Sequence, residues 1–227
     1  MVGKKSASCC LDCEVISMSI CYEIHCADGR LLTVTDLKEA LALQKLDSAI
    51  ISYLDDGEAR VMASGRLRFD DGEYAVRAWK FGDGQAKEES VKNLESAEFN
   101  HGVGGCELCL TDENSHWEPC EIPVDAKLED WQKELLYEST SAKKMYWTTT
   151  FSSRKDFSLT TQMAVIHAIA YLRGGIIHDP QQDTYRFVKK GRLLALPDVN
   201  DARDICAQKN TTGVGLLTST PSNTPDT

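Results

Sequence analysis

LTTQMAVIHAIAYLRGGIIHDP, residues 159–180, decides the architecture. Apolar side chains surround nearly the whole circumference from Leu159 to Leu172. A helix of that kind has no solvent face and belongs at the centre of a core. Ser158 stands ahead of it as a cap, and Gly174-Gly175 ends it, because glycine accepts the left-handed conformation that closes a helix. Ile176-Ile177-His178 then reads as a strand, Asp179-Pro180 as a turn and Tyr185 to Val188 as the return strand. The longest apolar run, Met163 to Leu172, is broken by His167 and is too short to span a bilayer.

On the N-terminal side of this helix, Met145 to Phe151 is rich in Thr and aromatics and predicts a strand. Leu128, Trp131, Leu135 and Leu136 form a helical stripe behind Asp125, and Cys106 to Leu110 predicts a strand. Gly102-Val-Gly-Gly105 marks the boundary between two halves. In the first half, Ile20, Tyr22, Ile24 and Cys26 alternate with Cys21, Glu23 and His25, as in a half-buried strand. Asp28-Gly29 predicts a hairpin into a return strand, Arg30 to Val34, with a helix capped by Thr35 after it. Ser48 to Phe81 reads as a β-meander with strands at 48–54, 59–63, 66–69 and 74–81. Its two turns echo each other, Asp55-Asp56-Gly57-Glu58 and Asp70-Asp71-Gly72-Glu73. Residues 85–99 predict a polar surface helix.

The expected fold is therefore α+β: antiparallel meanders with helices packed on one face, in two sub-units. The divisions are an N-terminal appendage (1–17), an N-terminal unit (18–100), a C-terminal unit (101–200) and a disordered tail (201–227) rich in Ser, Thr and Pro. Met18 stands directly before the first strand pattern, so one reading of the appendage is an over-long start, the others being a metal-binding or an acylated tail.

The formal net charge is −10. That field repels nucleic-acid backbones and anionic lipid, and the densest basic cluster is only Lys189, Lys190 and Arg192. A basic protein or a small ligand suits it better. Nine cysteines without scaffold spacing, and no secretory leader, point to the reducing cytoplasm.

Three constellations carry possible chemistry. Cys106-x-x-Cys109 with His116 and Cys120 has the ligand types of structural zinc, although a strand aims Cys106 and Cys109 at opposite faces. His167, His178, Asp179 and Asp183 could assemble a metal-assisted hydrolase. Asp55, Asp56, Glu58, Asp70, Asp71 and Glu73 could instead form an acidic partner-binding surface. No Gly-x-Ser-x-Gly elbow is present, and the Gly102–Gly105 run feeds a strand and so cannot cradle phosphate at a helix start. Trp79, Trp117, Trp131 and Trp147 are candidate interface anchors.

Residues 159–188, with a helix, then Gly174-Gly175-Ile-Ile-His-Asp179-Pro180-Gln181, then an aromatic strand at Tyr185, resemble the closing unit of bacterial polymorphic-toxin immunity proteins. The resemblance implies an intracellular, non-enzymatic, acidic α+β protein, which neutralises a cognate toxin by binding it; no cofactor is expected.

Overall fold

The computed structural model describes residues 20–53, 58–69, 73–92, 94, 102–115, 117–123, 126–150 and 156–196. The expected appendage, the tail and Asp125 lie outside them. Twelve elements follow in order: β1 (Ile20–Cys26), α1 (Val34–Leu43), β2 (Leu46–Tyr53), β3 (Ala59–Val61), β4 (Glu73–Lys80), α2 (Gly84–Lys92), β5 (Gly104–Asp112), α3 (Asp130–Ala142), β6 (Lys144–Thr150), α4 (Asp156–Arg173), β7 (Gly175–Asp179) and β8 (Thr184–Val188). The chain is mixed α+β. All eight strands join one sheet in the order β3-β2-β4-β5-β6-β1-β7-β8, and every neighbouring pair is antiparallel.

Strands from both halves of the sequence interleave in that sheet. β1 lies between β6 and β7, and the glycine-rich stretch expected to divide the halves runs into β5, where Gly104 and Gly105 pair with Ala78 and Arg77. The expected return strand at 30–34 does not form, because β6 and β7 already occupy both edges of β1. Instead Val34 N–H donates to Gly65 O and Leu67 N–H donates to Leu32 O. Arg66 to Phe69 therefore lies against residues 32–34 and joins no sheet strand, so the segment from β2 to β4 is not a simple meander. β4 returns to the other side of β2.

α4 lies on the face that carries Ile24, Val76, Leu108 and Tyr146, and α1 packs beside it. Ala164 to Ala170 are buried, as the apolar circumference requires. The helix is pinned at two points. Gln162 Nε2 donates to Ile20 O (2.7 Å) and Thr148 O (2.9 Å). At Gly104 the sheet touches the helix so closely that a Cβ would sit 2.2 Å from Phe157 O. The helix begins two residues before Ser158, whose hydroxyl accepts from Gly105 N–H instead of acting as the cap.

Helices cover both faces of the sheet rather than one. α2 lies on the side opposite α4, where Ala86 packs with Ala49 and Trp79. On the same side Arg77, fully buried, donates to the carbonyls of Ser90 and Leu94, a cation at a helix C-terminus. α3 covers β7 and β1, with Trp131 edge-on to Phe187 at 6.1 Å. On α3 the docking set includes Trp131 and Leu135 of the expected stripe, whereas on α2 it is only Ala86 and Ser90, too sparse to read from periodicity.

Candidate functional site

Of the six carboxylates read as partner-binding, Asp55, Asp56, Asp70 and Asp71 lie outside the described residues. Glu58 and Glu73 are described and exposed. Strand register brings their surroundings together. Tyr53 of β2 stands opposite Ala59 on one side and Glu73 on the other. The chain thus leaves β2 and enters β4 at the same end of the sheet, in strands about 5 Å apart. Ala75 stands opposite Glu107, so Glu107 shares the face of Glu73 one pleat further on. Glu107 is half-buried, and burial, then the neighbouring Glu73 charge, raises its pKa. Two like charges are held together here at a cost to the folded state.

The hydrolase constellation is not assembled. His167 lies on α4, buried on that helix's side of the sheet. His178 pairs with Glu23 and Tyr185 on the opposite side. Asp179 builds its turn, accepting from Gln181 N–H and Gln182 N–H. The sheet itself separates the two imidazoles. Burial, then Arg186, lowers the His167 pKa to about 4, so it stays neutral inside.

Cys106 and Cys109 face opposite sides of β5. Cys106 is in the core beside Val76, and Cys109 is paired with Trp147. His116 lies outside the described residues. Among the described residues no group of three His, Cys, Asp or Glu side chains could hold a metal ion. Burial pushes the Cys120 thiol up to about 12, helped by Glu23.

A different cluster forms around the polar face of β1. Glu23 Oε2 is 2.9 Å from His178 Nδ1 and 3.9 Å from His25 Nε2. The His178 ring stacks on Tyr185 at 4.5 Å, and Tyr185 O–H donates to Asp183 (3.1 Å). Burial, then His178, lowers the His25 pKa to about 4. The Asp179-Pro180-Gln181 turn serves this region too. Continuing the register places Pro180 opposite Cys21, and proline has no N–H to pair. The Gln181 amide takes over, donating to Cys21 O (2.9 Å) and accepting from Cys21 N–H (3.0 Å).

An open groove of about 870 Å³ lies between α3 and the chain at Ala27–Gly29, Arg173–Gly174 and Lys189–Lys190. Its helical wall carries Trp131, Glu134, Tyr137, Glu138 and Ser141. Trp79, by contrast, is buried. Sequence reading picked out Trp131 but missed Glu134, Tyr137 and Glu138. The available signal was a Glu-x-x-Tyr-Glu run on a helix whose last turn has no basic residue. No protein-family model matches the chain, and no curated protein or solved structure matches it either.

Proposed function

We propose that this chain is a cytoplasmic protein-binding module of immunity or antitoxin type, which neutralises a basic partner protein, a bacterial toxin, by steric and electrostatic occlusion. One observation carries the reading: the pairing of Tyr53 with Glu73 and of Ala75 with Glu107 crowds carboxylates at one end of one sheet face. Proteins keep such unfavourable local charge where a partner of opposite sign relieves it. The overall charge of −10 extends the same attraction over the surface and speeds encounter with a cation-rich partner. The resemblance of residues 159–188 to immunity proteins agrees with it. The Asp179-Pro180-Gln181 turn of that segment has a structural role in tying β7 to β1.

The test is co-expression with the protein encoded by the adjacent gene. A complex that survives size exclusion, weakens as salt rises and loses about tenfold or more in affinity with Glu58→Lys plus Glu73→Lys supports the proposal. Independent elution of the two proteins, or a complex insensitive to both salt and substitution, refutes it.

A further inference from the structure

The α3 groove contains a local electrostatic conflict that the fold does not resolve. Glu134 and Glu138 are one turn apart and both exposed, and like charges at that spacing repel along a helix. Glu138 lies in the C-terminal half of α3, whose last turn has no basic residue to offset it. The groove's cations are already engaged. Lys190 Nζ is 2.8 Å from Asp28, Lys189 Nζ lies 4.9 Å over the Trp131 ring, and the Arg173 guanidinium donates to Arg30 O and Leu31 O. Between the two glutamates, Tyr137 is 75% exposed, the most exposed of the large hydrophobic side chains among the described residues. An aromatic face flanked by two unpaired carboxylates attracts a cation on an apolar stem, as Trp131 already does with Lys189.

We propose that this groove is the docking site for a lysine- or arginine-bearing segment of a basic partner protein, its cation seated between Glu134 and Glu138 and its stem laid over Tyr137. The inference rests on the binding function proposed above and names the chemistry recognised. The volume of about 870 Å³ accommodates a few side chains. The open geometry suits a segment presented by a folded partner rather than an enclosed small molecule. Docking there would also place the partner at the sheet end that carries Glu73, since Ala27, Gly174 and Lys189 adjoin the strand ends nearest that edge.

The test uses the full chain and a capped peptide of alternating glycine and arginine, followed by amide chemical-shift changes. Shifts confined to α3 and Lys189–Lys190 are expected. Glu134→Gln plus Glu138→Gln should weaken binding at least about fivefold, the combined weight of two exposed ion pairs, and Tyr137→Ala should weaken it further. Glu39→Gln plus Glu88→Gln, which removes the same charge from exposed positions outside the groove, should leave it unchanged. Equal weakening by both double variants, or shifts spread over the whole acidic surface, overturns the groove in favour of a diffuse field. A second arm separates this inference from the one beneath it. If the co-expressed partner binds with unchanged affinity to the Glu134→Gln, Glu138→Gln protein, the groove fails and the binding function stands. If the peptide docks in the groove but the adjacent-gene protein does not bind, the groove stands and the neutralising role fails.

Discussion

Acidification should unfold this protein through its two buried imidazoles. His25 and His167 have an ordinary pKa of 6.5, lowered to about 4 in the folded chain, mainly by burial. The sign follows from proton counting. Below 6.5 the unfolded chain takes up protons that the folded chain refuses until about pH 4. Stability is thus fully present above 6.5 and is lost progressively down to 4. At pH 5 the unfolded imidazole lies about 1.5 pH units inside its protonated range while the folded one is still neutral. That costs about 2 kcal/mol per histidine. The two lie on opposite sides of the sheet and share no partner, so their costs add to about 4 kcal/mol. A domain with 5–15 kcal/mol in hand would lose a large share of it. Asp28, held far below the usual carboxylate range chiefly by its bond to Arg30, loses its contribution only at much lower pH. Glu107 runs the other way, since its raised pKa makes the folded state gain on acidification, and it offsets part of the loss. Urea titrations at pH 7 and pH 5 measure the difference, and His167→Gln should remove about half of it whatever its effect at pH 7. An unfolding free energy that stays constant within about 1 kcal/mol over this interval would refute the reasoning, as would a His167→Gln protein with the full wild-type pH slope.

Two further outcomes test the packing. Gly104→Ala should destabilise by about 2–3 kcal/mol, because its Cβ would meet Phe157 O at 2.2 Å and Thr161 Oγ1 at 2.3 Å, forcing α4 off the sheet; an unchanged denaturation midpoint would contradict that close approach. Gln181→Leu should cost about 1 kcal/mol and speed hydrogen exchange at the Cys21 amide, and unaltered exchange there would show that the Gln181 amide does not stand in for the missing proline N–H.

Much of the fold could be read from local pattern. The circumferential apolar run from Leu159 marked α4 as the buried helix, and the alternation of Ile20 to Cys26 marked β1 and separated its core face from the polar face that carries Glu23 and His25. Strand order was not legible. Nothing near Ile24 in sequence shows that its neighbours are Tyr146 and Ile177, because pairing between segments more than a hundred residues apart leaves only a matched apolar face on each. The return strand expected after Asp28-Gly29 failed for the same reason: both edges of β1 had gone to distant partners. The candidate site divides likewise. The two Asp-Asp-Gly-Glu segments read as turns from the sequence, but that β3 and β4 flank the same end of β2 depends on the register of Tyr53. The hydrolase reading grouped His167 and His178 by closeness in sequence, whereas the turn at Gly174-Gly175 carries the chain from above the sheet into it. Gly175 has φ +134, and a Cβ there would lie 2.0 Å from His25 O, so this crossing admits no other residue.

The distribution of helices bears directly on where this protein can act. A sheet with one bare face offers that face to a ligand or partner. Here α1 and α4 occupy one side, while α2 and α3 take the two flanks of the other. Between those flanks lie Glu23, Glu107, Cys109 and Trp147, all only half-buried, and at the sheet's end Glu73 is exposed. Among the described residues, the carboxylates that the proposed partner would meet lie on the strip between α2 and α3 and at the rim where β2 ends and β4 begins. They come from β1, β4, β5 and α3, elements fixed by hydrogen bonding and packing rather than by loop conformation. A negative surface built on rigid elements is pre-organised, so it loses little entropy on meeting a cationic partner. Charge reversal at Glu73 and charge removal at Glu134 and Glu138 should accordingly weaken binding without altering the fold.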